Sequence, residues 1–409
     1  MALVELRTTG VAAGGDAVAR DAGGRVVFVA GALPGELVGA VLVEEHASYA
    51  KARTVEVLEP ADGRVAAPCP EVANGCGGCG WQHVALADQR ALKAEIVADA
   101  LRRQGGVAAP VVRQSPGLPA TDHRTTLRLA VTADGRTGFR RARSHDVVDV
   151  GGCLVAHPLL EAMVASARFP GATEVTLRCG ARTGERLALV APTAGDVVLP
   201  DGHDDVVVVG AAELRAGHRA WFHEEVAGRR WRISASSFFQ ARPDGAEALV
   251  AAVEEAVGPP ARPDERLLDA YGGVGLFAGA LGEGRRTTLV ERSASSTADA
   301  RVNLADRDAR VLRLDVERWR PAPADVVVAD PARGGLGKVA VRVLAATGTS
   351  RLVLVSCDPA SLGRDAGLLR AAGFTWTSTT LVDLFPHTPH VEAVTSFERP
   401  PSTGGRRSG

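Results

Sequence analysis

Short apolar runs separated by glycine and proline open the chain: Val26-Val-Phe-Val29, Leu37-Val38, Val41-Leu-Val43 and Thr54-Val-Glu-Val57 all fall within residues 1–60. Strands this short, with turn residues between them, predict a small all-β barrel, an architecture that usually binds something on its surface. Leu92, Ile96 and Ala100 then recur four apart between Leu86 and Arg103, and Gly105-Gly106 follows. That spacing predicts an amphipathic helix with a glycine terminator. Between about residues 120 and 225, Thr126–Val131, Glu174–Arg178 and Leu187–Val190 are strand-like and helical patterns are few, so a β-rich middle domain is expected.

From about residue 229 the pattern becomes strand, glycine turn, helix, strand. Arg266–Asp269 runs into Tyr271-Gly-Gly-Val-Gly275 and the helical Leu276–Leu281. Four further apolar runs end at Glu291, Asp315, Asp330 and Cys357. The expected fold class is α/β, a doubly wound Rossmann-like sheet, with all five strand-end residues on one rim, where such sheets bind ligands. The expected division is 1–60, the small barrel; 61–228, a middle domain whose helix 85–104 can pack on the domain that follows; 229–400, the doubly wound domain; and 401–409, a disordered tail.

Composition adds little to that picture but narrows its setting. The 409 residues are 46% apolar and carry a net charge of −1, as in ordinary globular proteins of two or three domains. No run reaches the length of a transmembrane helix, and Met1–Arg7 lacks the layout of a signal peptide, so a cytoplasmic protein with no membrane partner is expected. A nucleic-acid partner would have to be held by local patches. Arg124, Arg128, Arg136, Arg140, Arg141 and Arg143 form such a patch, which His123 and His145 either join or leave for the surface.

Two features carry chemistry. The glycines after Asp269, Gly273 among them, remove side chains where a strand turns into a helix, so that a ligand can lie against backbone amides. Glu291, about twenty positions on, can accept hydrogen bonds from both hydroxyls of a ribose. No phosphate-cradling lysine loop accompanies them, and S-adenosylmethionine fits better than a dinucleotide. In Ser356-Cys357-Asp358-Pro359 a thiol stands at the carboxyl end of a buried strand, a place for a nucleophile.

Together Ser236-Ser-Phe-Phe-Gln240, Asp269–Gly275, Val290-Glu291, Asp330-Pro-Ala-Arg333, Ser356–Asp365 and Phe385-Pro-His-Thr-Pro-His-Val-Glu392 resemble the RNA uracil-5-methyltransferase family, which makes 5-methyluridine. The N-terminal segment with Ala32-Leu-Pro-Gly-Glu36 is similar to the TRAM domain, a small RNA-binding barrel found in part of that family. The resemblance implies a Rossmann-like methyltransferase domain with Cys357 as nucleophile and Glu392 as base. It places Asp330 near the pyrimidine edge or the cofactor end, and it matches Gln240, Tyr271, Glu291 and Asp315 to cofactor contacts. RNA is the implied partner, ribosomal over transfer RNA, and a flipped loop uridine the implied target. Phe238 and Phe239 could stack on that base or simply fill the core. A catalytically silent RNA-binding protein on the same fold, or a methyltransferase acting on small molecules or protein, are the competing readings. Two departures stand out: Gly272, where many members carry cysteine, and Asp358, where asparagine is common and a carboxylate could raise the thiol's pKa.

Cys69, Cys76 and Cys79, spaced six then two residues apart in a Pro- and Gly-rich loop, and Cys153 in a second glycine turn form a four-thiol set. Such a set can hold tetrahedral zinc or an iron–sulfur cluster, and spacing does not decide between them. The resemblance implies a [4Fe-4S] cluster. Cys179 is left over as a core residue.

Overall fold

The computed structural model describes residues 3–141, 144 and 146–400; Arg143 and His145 of the expected basic patch, and the tail 401–409, lie outside the described residues. Five strands, β1 (Leu3–Val11), β2 (Ala17–Arg20), β3 (Val26–Ala30), β4 (Leu37–Glu45) and β5 (Tyr49–Glu59), close into a barrel in the order β1-β2-β3-β5-β4. Its core is narrow because it is built largely from Ala17, Ala19, Ala40, Ala50 and Ala52, with Leu6, Val27, Val29 and Val38.

Helix α1 (Leu86–Ala100) continues through a π-helical turn, Leu101–Gly105, and stops at Gly106, whose φ of 69° is the left-handed conformation that glycine tolerates. The buried face differs from the one expected. Gln89 and Lys93 are buried with Ile96, Val97 and Ala100, while Leu92 is only half-buried. Polar partners elsewhere in the chain, described below, override the apolar spacing.

A six-stranded sheet follows, built from β7 (Thr126–Val131), β8 (Thr137–Arg140), β9 (Val147–Asp149), β10 (Glu174–Cys179), β11 (Arg186–Ala191) and β12 (Val207–Gly210), after the short β6 (Val112–Gln114). Helix α2 (Pro158–Ser166) covers it through Leu160, Met163 and Val164, and α3 (Ala211–Arg215) follows β12. Cys179 is buried in this core, as expected. A hairpin, β13 (Trp221–Val226) and β14 (Arg229–Ser234), then packs its Phe222, Val226, Trp231 and Ile233 against helix α4 (Pro243–Val257) and the sheet beyond.

That sheet is built from β15 (Glu265–Ala270), β16 (Arg285–Glu291), β17 (Ala309–Arg313), β18 (Val326–Ala329), β19 (Arg351–Ser356), β20 (Thr375–Leu381) and β21 (Ala393–Glu398). Helices α5 (Leu276–Leu281), α6 (Ala294–Asn303), α7 (Gly337–Ala345) and α8 (Pro359–Ala371) connect its strands. The order is β17-β16-β15-β18-β19-β21-β20-β6, with β15 to β19 parallel and β21 antiparallel to both its neighbours. Alternate residues feed opposite layers: Leu267, Val326, Val328, Val353 and Val355 face α4 and the hairpin, whereas Leu268, Val327, Leu352 and Leu354 join Val97 and Leu101 of the α1 segment. Burial on both faces is why these strands read as unbroken apolar runs. Strand β6 pairs with β20 and α1 packs on α8, so the segment before residue 120 contributes directly to this unit. Among the described residues no helix is long and apolar enough to cross a membrane.

Candidate active site

Strand order locates the crevice. From β15 the chain moves outward to β16 and β17, then returns to place β18 and β19 on the other side of β15, so the direction of winding reverses between β15 and β18. Loops leaving adjacent strands in opposite directions cannot cover that point, and a cleft forms at their carboxyl ends. A crevice of about 680 Å³ opens there, lined by Gln240, Tyr271, Gly272, Gly273, Glu291, Asp330, Cys357 and Glu392 together with Phe238, Phe277, Ser293, Arg333, Phe385 and His390. Its volume lies within the range of sites for molecules of nucleoside size, roughly 300–1,000 Å³.

Cys357 and Glu392 meet through strand register. Ser356 at the end of β19 pairs with Ala393 at the start of the antiparallel β21, so the next residue on one strand faces the preceding residue on the other. Glu392 is only 4% exposed, against the expectation for a surface glutamate, and its carboxyl is held well above the usual range, first by burial and then by the charge of Asp330. Asp330 is itself pushed up to about 7 by burial. The Cys357 thiol is raised to about 11 by burial and by the charges of Glu392 and Asp330, while the Arg333 guanidinium pulls it down. Two buried carboxyls that raise each other resist being charged together, so the pair retains a proton at neutral pH. Asp358 is not a cause of the thiol's shift: its Oδ1 accepts a 2.7 Å hydrogen bond from the Ser361 N–H and caps α8.

On the other side of the switch point, Glu291 Oε2 accepts from the Gly273 N–H at 3.2 Å and Oε1 from the Ser293 N–H at 2.6 Å, which fixes the carboxylate against the glycine turn. Tyr271 sits at a φ of 61°, rare for a residue with a side chain, and donates to Glu317 at 2.8 Å. Beneath them Asp269 is fully buried and raised to about 7 by burial; Oδ2 accepts from the Ala278 N–H and Oδ1 has no partner. Gly272 has no space for the cysteine many relatives of its motif carry, since a Cβ there would lie 2.6 Å from Leu289 Cγ and 2.9 Å from Asp269 Cγ. Filling it would cost on the order of 1–3 kcal/mol in overpacking. The fit for S-adenosylmethionine is good: a roomy cleft whose wall holds a carboxylate beside a glycine turn and the Gln240 amide.

Several expected residues lie elsewhere. Asp315 is not among the residues that line this crevice; it sits at the N-cap of the short 3-10 turn Val316–Arg318 after β17, the outermost strand, with its charge reaching Tyr271. His123 belongs neither to a basic face nor to the surface: it is 6% exposed, and burial pushes its ring down to about 3. Arg128 is paired with Glu174 at 2.7 Å, and Arg136 with Asp134 and Asp149, which leaves the expected patch less positive than its sequence. Phe239 is core, but Phe238 is 69% exposed at the crevice.

Arg124 belongs to two sites. Its backbone is bridged to Ala156 in the second glycine turn's continuation, and its side chain lines both the crevice and a second, small cavity of about 30 Å³. Cys69, Cys76, Cys79 and Cys153 all line that small cavity as free thiols. Burial raises Cys79 to about 11 and lifts Cys76 and Cys153 as well. Among the described residues, no three metal-ligating side chains are gathered closely enough to hold a metal ion as they stand. Sequence spacing had no means of showing that Arg124 joins these two cavities, nor that Arg333, Ser293 and His390 share the crevice.

Comparison with known proteins follows this geometry. No protein-family model matches the chain. A Streptomyces coelicolor protein named as an uncharacterized RNA methyltransferase is 36% identical, over 96% of this chain and 92% of its own length. The 23S rRNA (uracil(1939)-C(5))-methyltransferase RlmD of Aeromonas hydrophila is 30% identical over 92% of both chains. Among solved structures, the Pyrococcus abyssi tRNA (uracil-54, C5)-methyltransferase in complex with S-adenosyl-L-homocysteine superposes with a TM-score of 0.74 at 22% identity, covering 96% of this chain and 100% of that one, which shows a shared fold. With identity of 30% or more sustained over nearly its whole length, the chain belongs to the RNA uracil-5-methyltransferase family.

Proposed function

We propose that this protein methylates carbon 5 of a uridine in RNA, 23S ribosomal RNA by preference, through a covalent adduct with Cys357. The observation that carries this reading is the placement of Cys357 opposite Glu392 in one crevice with Asp330 and Glu291. Uracil carbon 5 is too weak a nucleophile to accept a methyl group unaided. Addition of the Cys357 thiolate to carbon 6 moves the ring's electron pair toward the carbon 4 carbonyl and makes carbon 5 an enolate carbon. When bound, S-adenosylmethionine supplies the electrophilic methyl group; Gln240, Tyr271, Gly273 and Glu291 are the residues that would hold it, Glu291 at the ribose hydroxyls. Glu392 then takes the proton from carbon 5, and the returning electron pair expels the thiolate and restores the ring double bond. Asp330, with its raised affinity for a proton, hydrogen-bonds at the pyrimidine edge. Ribosomal RNA is favoured over transfer RNA by the named activity of relatives that match along most of this chain. Mapping 5-methyluridine in ribosomal and transfer RNA of cells with and without the gene tests the reading, and an unchanged map in both RNA classes overturns it.

The pKa directions set the pH profile. A thiol raised to about 11 and a raised Glu392 carboxyl are both in the wrong state at low pH and gain their active, deprotonated forms as pH rises. Capture of 5-fluorouridine RNA, which stops before proton removal, is therefore expected to accelerate steadily from pH 6 to 9. Arg333→Gln removes the cation that lowers the thiol's pKa, so the curve should move to higher pH and capture at pH 7.5 slow by about three- to tenfold. Superimposable curves would show that Arg333 does not tune the thiol.

For the four-cysteine cavity we propose a thiolate-held [4Fe-4S] cluster, with zinc as the alternative. Its support is donor chemistry: four free thiols from two loops around one cavity whose wall includes no histidine, a set suited to soft metals. Such a group would tie the Cys69–Cys79 loop to the turn at Cys153 beside Arg124. Anaerobically purified protein is expected to contain iron and acid-labile sulfide, both lost in Cys76→Ser; protein free of iron, sulfide and zinc would rule the centre out.

A further inference from the structure

The loop that delivers Glu392 is gripped by helix α1, nearly 300 residues earlier in the chain. It runs from Asp383 to Val391 between β20 and β21, and at its base the Val382 N–H donates to the Glu392 carbonyl at 2.8 Å. Within the loop the ties are local: the Thr388 N–H and Oγ1 donate to the Phe385 carbonyl, the His390 N–H donates to Thr388 Oγ1, and the Leu384 N–H donates to the Val382 carbonyl. His387 holds a φ of 64°, and both its buried ring nitrogens lack partners. A loop in such a conformation needs support from elsewhere to keep it.

Helix α1 supplies that support through two side chains one turn apart, both 0% exposed. Lys93 Nζ donates to Asp383 Oδ1 at 2.6 Å and to the Phe385 carbonyl at 2.8 Å. Gln89 accepts from the His387 N–H at 2.7 Å, while its amide donates to the carbonyls of Trp81 and Val84. Trp81, two residues after Cys79, donates its own N–H to the His387 carbonyl at 2.8 Å and its indole N–H to Gly15 of the barrel. Gly15 lies against Pro389 so closely that a Cβ would come within 2.5 Å of it. Burying a lysine charge costs more than burying an apolar residue of the same size, so bulk stability does not explain it. What an ammonium group offers is direction: several donors fixed on one point, here aimed at two groups of the same loop.

We propose that Lys93 and Gln89 are positioning residues that hold Glu392 at the height where it reaches the carbon 5 proton. The inference rests on the proposed role of Glu392 as base. Both side chains are buried and neither lines the crevice, so their loss should spare thiolate addition and methyl transfer and slow the release step alone.

The test compares the full-length wild type with Lys93→Met, with the double variant Lys93→Met/Asp383→Leu, which leaves no charge stranded, and with Gln89→Met, which keeps the ion pair. With ordinary RNA and S-adenosylmethionine, each variant is expected to accumulate a denaturant-stable, methylated protein–RNA adduct at least about tenfold above wild type, with kcat reduced and KM for RNA unchanged. The rate of 5-fluorouridine capture should stay near that of wild type. Parallel loss of capture and turnover would mean that α1 serves the fold only, and unchanged turnover without adduct in the folded variants would also overturn the inference. Failure of the wild type itself to form any 5-fluorouridine adduct would instead remove the Cys357 reading on which it stands.

Discussion

Cys357→Ala is expected to lose turnover on the order of 10⁴- to 10⁶-fold and to form no covalent product with 5-fluorouridine RNA, while binding RNA as tightly as wild type. Among the described residues of the crevice rim the thiol is the group suited to add to carbon 6, and in the proposed mechanism carbon 5 gains nucleophilic character from that addition. Alanine removes the nucleophile and leaves the surroundings in place: Ser356 still pairs with Ala393, and Asp358 still caps α8. Neighbouring Glu392 and Asp330 lose no hydrogen-bond donor that holds the fold, so the variant should unfold at nearly the same temperature. Single-turnover methyl transfer and gel-shift capture measure the two effects separately. Methyl transfer at the wild-type rate in Cys357→Ala would require another route to the carbon 5 carbanion and would end the covalent reading.

Glu392→Gln should behave in the opposite way on the gel. Addition and methylation need only the thiolate, so the variant is expected to form adduct with ordinary uridine RNA and then fail to release it, with turnover down by about 10²–10⁴-fold. Glutamine keeps the volume of a side chain that is 4% exposed and cannot accept the proton. Because Glu392 and Asp330 already retain a proton at neutral pH, glutamine changes the charge beside the Cys357 thiol little, and initial capture should stay near the wild-type rate. Rapid release of product would show that another group takes the proton.

The legible parts of this protein were those that local physics dictates. Strands β15 to β19 are buried on both faces, so they appear as apolar runs, and the polar residue ending each run marks the rim. Glu291, Asp330 and Cys357 were found this way. Asp315 satisfied the same local rule but follows the outermost strand, about two strand spacings, some 10 Å, from the switch point. Strand order is set by packing between distant segments, and no feature near residue 315 reports it. Helix α1 shows the same limit: its spacing predicted a helix, yet the buried positions Gln89 and Lys93 are fixed by partners nearly 300 residues away.

Arg124 and His123 make the point with adjacent residues. One lines two cavities and the other is enclosed with a ring held neutral, though both read from the chain as members of a positive patch. Sequence by itself determined the barrel, the parallel sheet, the glycine turn and the strand-end residues Glu291, Asp330 and Cys357 that line the crevice, because these follow from side-chain periodicity. Only the tertiary structure decided which groups meet, how far each is withdrawn from water and what holds the Glu392 loop, because burial and Coulomb interaction depend on distances through space that chain order does not encode.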